Sequence, residues 1–234
     1  MKIGIDVGGT HTDAVVMRGL EILATHKALT TSDVKQGIVE ALDTVMSIAN
    51  LDSADITAVM IGTTHFTNAV IERKELSETA IIRACLPTGS GIPPMCDWPE
   101  DIANCLGNHV YMLKGGHRFD GSEIHGLDDR EIGTVLDDLV SKGIESIAIA
   151  SAFSPINNSH EHYIAALAKA KIPDANITVS HEIGRLGILE RENAALLNAS
   201  LGGLAQSVVS NMKAALVERK IKCPFYVSQN DGTL

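Results

Sequence analysis

The chain has 234 residues, 45% of them hydrophobic and 21% charged, with a net charge of −10. That suits an aliphatic core in one large domain or two small ones, and it leaves no basic stripe to displace counterions from nucleic acid. No apolar run is long enough to span a bilayer, and the first residues lack the charged, apolar and cleavage segments of a secretory leader, so the expected compartment is the cytoplasm.

Lys2 to Val7 and Ala14 to Met17 are short, apolar, β-branched runs that read as two strands. Between them lie Asp6, Gly8, Gly9, Thr10, Thr12 and Asp13. Adjacent glycines leave no Cβ between the backbone N–H groups and an anion, and the two threonine hydroxyls can add bonds to phosphate oxygens. A carboxylate at Asp6 is useful beside a magnesium ion, its waters, or a nucleophile to be deprotonated. The same turn also reads as an ordinary Gly-Gly hairpin. It is not G-x-x-x-x-G-K-[ST], and it does not open a helix as a dinucleotide fingerprint does.

Leu20 to Ala28 is a third strand. Ser32 then caps a helix, with Asp33 in its first turn and Ile38, Leu42, Val45, Met46 and Ala49 on one face. Ile56 to Ile61 is a buried strand, and Gly62-Thr63-Thr64-His65-Phe66-Thr67-Asn68 places polar groups where it runs into a helix, the end at which open α/β sheets bind ligands. Thr79 to Ala84 is the next strand. Residues 85–108 are irregular, carry the only tryptophan, Trp98, and read as a lid, binding loop or interface. Val110 to Leu113 and Gly116 to Phe119 are short strands, with Asp120-Gly121 a turn signal. Asp128 caps a helix that Gly143 ends, Ile144 to Ser151 is a strand buried on both faces, and a helix runs from Ser159 to Lys171. Ile177 to Ser180 is a strand, and His181 to Gly187 is polar and broken by glycine. One long helix runs from Leu189 to Lys220, with Arg191, Glu192 and Asn193 in its first turns. Cys223 to Ser228 is a last strand before the loop Gln229–Leu234. The expected divisions are 1–84 for the phosphate-binding part, 85–126 for an irregular insertion and 127–234 for an α/β layer.

Cys85, Cys96, Cys105 and Cys223 form no C-x-x-C pair, which points to free thiols. His160 and His162, two apart on a helix, point in different directions and make poor joint ligands, so no protein-only metal site is expected.

Gly4-Ile-Asp-Val-Gly-Gly-Thr-His-Thr-Asp-Ala-Val-Val16 resembles the first phosphate motif of the actin, sugar kinase and Hsp70-like ATPase superfamily. With Gly62–Arg73, Gly115–Gly121, Ser180–Gly184, Glu190–Ala194 and Gln229–Leu234, the chain looks like the N-terminal part of the hydantoinase A/5-oxoprolinase family, whose first motif commonly has Phe where His11 stands. The resemblance implies an α/β fold with a ribonuclease H-like mixed sheet flanked by helices, the N-terminal half of an actin-like ATPase. It implies ATP and Mg2+ as cofactors and ATP-dependent ring opening of a cyclic amide such as 5-oxoproline or a hydantoin. Gly8, Gly9, Thr10 and Thr12 would hold phosphates. Asp6 would position magnesium through water and, with Asp13, serve catalysis. Thr63, Thr64, His65, Asn68, Arg191, Glu192 and Asn193 would face the substrate or cleft. The implied partners are a small cyclic amide and a second copy or a second hydantoinase-type subunit, with neither nucleic acid nor membrane. A kinase-like phosphotransferase, a carboxylase-type subunit and a non-catalytic subunit are the alternatives. The superfamily closes its cleft with a second phosphate loop, which these 234 residues lack. The piece alone is therefore expected to bind ATP weakly and to turn over nothing.

Overall fold

The computed structural model describes residues 1–29 and 34–228. The expected cap at Ser32 and Asp33 and the loop Gln229–Leu234 lie outside them. In chain order the strands are β1 Lys2–Val7, β2 His11–Arg18, β3 Glu21–Leu29, β4 Ala58–Thr63, β5 Thr79–Leu86, β6 His109–Lys114, β7 Ser146–Ser151, β8 Asn176–Val179 and β9 Phe225–Val227. The helices are α1 Val34–Ile48, α2 His65–Glu72, α3 Glu100–Leu106, α4 Asp129–Lys142, α5 Ser159–Lys171, α6 Ser180–Ile183, α7 Ile188–Ser200 and α8 Gly202–Glu218. Among the described residues no helix is long and apolar enough to cross a membrane.

The chain forms two compact units, Met1–Glu72 with Leu204–Leu234, and Arg73–Gly203. This division differs from the boundaries expected at 84 and 126, both of which fall inside the second unit. The reason is a return of the chain: the segment after Gly203 packs with the first sixty residues, a long-range pairing that local pattern does not reveal.

The first unit is a five-stranded mixed sheet in the order β3-β2-β1-β4-β9. β1 pairs antiparallel with β2, and β2 with β3, whereas β4 lies parallel to both β1 and β9. This is the mixed sheet expected from three hairpin-linked strands followed by a helical crossover, which can bring the next strand back parallel to the first. Ile3, Ile5 and Val7 alternate inward with Ala14 and Val16, and with Val59 and Ile61. They pack on Ile38, Leu42 and Val45 of α1 and on Met212 and Leu216 of α8. Each of the valine, leucine, isoleucine and methionine side chains among them, fully buried, contributes about 1.5–3 kcal/mol. The period of two then forces Gly4, Asp6, Asp13, Val15, Met60 and Gly62 onto the opposite face.

The second unit is an all-parallel sheet in the order β6-β5-β7-β8. β5 and β7 are buried almost end to end, as a sheet covered on both faces requires. Ala80, Ile82, Ile147 and Ile149 face Ile132, Leu136 and Leu139 of α4 and Ile164 and Ala168 of α5. α7 packs on β7 and β5. Asp128 caps α4 by accepting from Arg130 N at 2.8 Å, and Gly143, at φ 69°, closes it.

Three expectations change. The stretch 85–108 contains α3, whose C-cap Gly107 takes φ 89°. Gly116 to Phe119 is not a strand but part of a loop closed by an isolated bridge between His117 and Glu123. The long helix from Leu189 is two helices broken at Leu201, ahead of Gly202-Gly203, where a Cβ on Gly202 would lie 1.7 Å from Asn176 Nδ2.

Candidate functional site

The turn between β1 and β2 closes with Gly8 N donating to His11 O at 3.0 Å. A Cβ on Gly8 would stand 2.9 Å from that same carbonyl, and one on Gly9 would stand 3.0 Å from Asn68 Nδ2. The glycines are thus needed for close approach, the first by the turn itself and the second by α2. Gly9 and Thr10 are exposed residues of this turn. Thr12 is fully buried. Its side chain belongs to the inward face of β2, because an even residue of that strand shares the face of Ala14 and Val16. The expected role of Thr12 as a phosphate ligand therefore does not match the side-chain direction found.

Asp6 and Asp13 are direct cross-strand partners in the β1–β2 register. They share the outward face, where two like charges opposite one another are unfavourable. The same row continues to Lys27 on one side and Gly62 on the other. Lys27 Nζ lies 3.2 Å from Asp13 Oδ2, both groups being about half exposed, which offsets one of the two charges. Among the described residues no ion pair reaches Asp6. A Cβ on Gly62 would come within 3.3 Å of Asp6 Oδ1, so glycine there keeps room beside the carboxylate. This face forms a groove of about 640 Å3 lined by Asp6, Asp13, Lys27, Met60, Gly62 and Ser228. An open row of two carboxylates and a hydroxyl offers only oxygen donors to a cation, which suits a hard, partly hydrated ion such as magnesium.

α2 begins beside this turn. Thr63 Oγ1 donates to Val7 O at 3.1 Å and accepts from His65 N at 3.0 Å, and Thr64 N donates to Val7 O at 3.2 Å. Thr63 is therefore a cap that ties the helix start to the end of β1. Thr64 is exposed, while His65 and Asn68 are half-buried. The structure thus brings Asp6, Gly8, Gly9, Thr10, Asp13 and Asn68 into one part of the first unit. Lys27 and Ser228 were missed by motif reading. The signal for Lys27 was available, since strand alternation and hairpin register put it in the row of Asp6 and Asp13.

Arg191, Glu192 and Asn193 belong to the second unit. Arg191 and Glu192 are 1% and 0% exposed, so they present no open surface to a substrate, contrary to their expected place. Glu192 accepts from Arg83 Nη1 at 3.0 and 3.2 Å, and Arg83 Nη2 donates to the carbonyls of Gly89 and Ile92. Burial pushes the Glu192 carboxyl up to about 7, against the pull of Arg83. Asn193 Nδ2 holds both oxygens of Asp97 at 3.2–3.3 Å. Glu192, through Arg83, and Asn193, through Asp97, thus grip the loop that follows β5. A salt-bridged helix start and a buried loop clasp have the same sequence pattern, which is why burial alone separates them.

The sequence model of the family described as the hydantoinase/oxoprolinase N-terminal region matches residues 2–172. The caprolactamase subunit alpha of Pseudomonas jessenii is 24% identical, over all of this chain and 36% of its own length. The crystal structure of the ATP-dependent caprolactamase from that organism superposes with a TM-score of 0.77 at 21% identity, covering 97% of this chain and 35% of the other. The nucleotide-free structure of an acetone carboxylase superposes with a TM-score of 0.73 at 18% identity, covering 97% and 36%. The chain thus spans about a third of the length of the relatives it matches.

Proposed function

Because this chain belongs to the hydantoinase/oxoprolinase N-terminal region family, we propose that it is the nucleotide-binding portion of an ATP-dependent enzyme that opens a cyclic amide. The observation that carries this reading is the Asp6–Asp13 pair on an open sheet face next to the Gly8-Gly9-Thr10 turn. Gly8, Gly9 and Thr10 receive the phosphates, and Asp6, with Asp13 across the register, holds the waters of a magnesium ion. The nucleotide supplies phosphorylation of the amide oxygen, which makes an otherwise unreactive lactam carbonyl open to water. Asn68, Thr64 and His65, at the start of α2, are the substrate-side candidates. The family and the caprolactamase relative support a lactam as substrate class, with 5-oxoproline and hydantoins as the finer candidates. The relative's designation as a subunit alpha supports assembly with a second subunit.

Like charges facing one another across two strands, only one of them ion-paired, have a measurable signature. Asp6→Asn is expected to raise the stability of the chain by a few tenths of a kcal/mol in magnesium-free buffer, since it removes the cross-strand repulsion. The same change is expected to weaken Mg-ATP binding about tenfold or more, because a hard cation loses its charged oxygen donor. Urea unfolding and a calorimetric Mg-ATP titration measure the two effects. A variant that loses stability and keeps its Mg-ATP affinity would remove the basis for the site. Phosphate release from Mg-ATP by the native-length protein, assembled with a second hydantoinase-type subunit and with lactams, 5-oxoproline and hydantoin supplied in turn, tests the reaction. Release raised by one of them together with its opened product supports the amidase. Phosphate retained on the acceptor supports a kinase-like transfer, and release that requires bicarbonate supports the carboxylase-type role. The fold is shared about equally with a caprolactamase and an acetone carboxylase, so the fold does not choose between these chemistries.

A further inference from the structure

A second constellation lies in the Arg73–Gly203 unit and is independent of the nucleotide reading. After β6, Gly115 and Gly116 take φ 143° and 86°, which turns the chain back over the sheet. His117 N then donates to Ala152 O at 2.9 Å, and the bridge to Glu123 folds the loop. His160 comes from the first turn of α5. His117 is 0% and His160 5% exposed, with ring centroids 4.3 Å apart. One ligand atom from each of His117, Glu123 and His160 lies within 4.8 Å of the others. His117 Nδ1 is buried and has no partner. An unpartnered polar nitrogen in a protein interior is unfavourable and needs an explanation such as a missing ion or water.

We propose that His117, Glu123 and His160 form a binding site for a divalent transition-metal ion of the zinc type. Two imidazoles and a carboxylate are a borderline donor set that favours such an ion over magnesium or calcium, which take oxygen, and over copper(I), which takes sulfur. His160 Nε2 and Glu123 Oε1 are 3.3 Å apart, long for a charge-assisted hydrogen bond. It is close to the roughly 3.3 Å that separates two ligands on one tetrahedral zinc with bonds of about 2.0–2.1 Å. Glu123 is on an exposed loop and is 58% exposed at its side chain, so it can close on an ion, whereas the two rings are held in place. A cavity of about 860 Å3, lined by Glu123, His125, Asp128, Asp129, His160 and Tyr163, gives the ion a polar entry and leaves room for a fourth ligand.

One bond must yield. Gly116 N donates to His160 Nδ1 at 2.9 Å, which places the ring proton of neutral His160 on Nε2, toward Glu123. Coordination through Nε2 displaces that proton. The neutral ring then carries its proton on Nδ1, where the Gly116 N–H can no longer donate. A single neutral hydrogen bond is a small term beside coordination by three protein ligands. The Gly116 amide therefore reports on occupancy of this site and on no other histidine of the chain.

Calorimetric titration of the metal-stripped 234-residue chain with Zn2+ tests the proposal. The expected result is one site per chain, weakened about tenfold or more by Glu123→Gln. The exposed Glu123 can be replaced without disturbing the fold, which circular dichroism checks. His109→Gln, which removes a separate His109–Glu78 pair 3.5 Å apart, is expected to leave the affinity unchanged. The Gly116 amide resonance is expected to move on metal addition, and Co2+ in place of zinc is expected to give the intense visible bands of a low-coordinate site. Zinc binding that survives Glu123→Gln, that leaves the Gly116 amide unmoved, or that fails to occur at one per chain overturns the site.

Discussion

Replacing Arg191 by lysine is expected to destabilise the Arg73–Gly203 unit by about 3–5 kcal/mol, the cost of leaving buried partners of a charged group without it. The guanidinium spreads its donors in a planar fork. Nε donates to Ser180 Oγ at 2.7 Å, Nη1 to Arg185 O at 2.9 Å and Leu186 O at 3.1 Å, and Nη2 to Ser151 O at 2.6 Å. It thereby ties the 184–187 loop to the end of β7. A lysine ammonium is a point charge and cannot reach both sides at once. Behind it, the Glu161 carboxylate, 0% exposed, accepts from Ser151 N, Ser180 Oγ, His181 N and His181 Nδ1 at 2.6–3.0 Å. Ser180 joins the two charged groups, so loss of the arginine is felt by the carboxylate too. Burial pushes the Arg191 guanidinium below its ordinary value, against the opposing pull of Glu161 and Glu192. Equilibrium unfolding in urea measures the loss. A change below about 1 kcal/mol, typical of a surface substitution, would mean that the arginine is an exposed cleft group after all.

Glu192→Gln is expected to match the wild-type protein in stability below about pH 4 and to exceed it above pH 7.5, by on the order of 3 kcal/mol. The sign follows from the proton count. The folded carboxyl titrates at about 7, raised from 4.5 chiefly by burial. Between these values the folded state holds a proton that the unfolded state has lost. Stability contributed by this group is therefore present at low pH and falls as pH rises from about 4.5 through 7, then levels off. Glutamine cannot ionise, so the difference between the two proteins isolates this one group from every other carboxylate. Its amide oxygen keeps an acceptor for Arg83 Nη1, which leaves the carbonyls of Gly89 and Ile92 bonded to Nη2. If the variant is less stable than the wild type at pH 8, the attraction to Arg83 outweighs the desolvation of the carboxylate, and the pair is a net stabiliser.

These two residues show where reading by pattern stops. β1, the turn at Gly8-Gly9, β2, the Asp128–Gly143 helix and α5 were all legible in the sequence. Each is set by terms that act within a few residues: side-chain period, a capping acid, a glycine that accepts a left-handed conformation. Asp6 and Asp13 were named from the motif as separate acids, and the register that sets them opposite one another comes from the structure, although a hairpin's turn fixes it locally. The break at Leu201 was not legible. Residues on either side of it share one helical spacing, yet Leu196 and Ala199 are buried in the second unit while Met212 and Leu216 bury against the sheet of the first. The burial of Arg191 and Glu192 was hidden for a related reason: their partners at Ser151 and Arg83 lie 40 and 109 positions away. The cluster of His117, Glu123 and His160 is the extreme case, since nothing in their spacing suggests that the three should meet. Local hydrogen bonding and periodicity determine elements and turns from the sequence itself. Which buried charge meets which, and which imidazoles share a site, is decided only when distant segments exclude water from between them, because only then do unpaired polar groups become costly enough to select their partners.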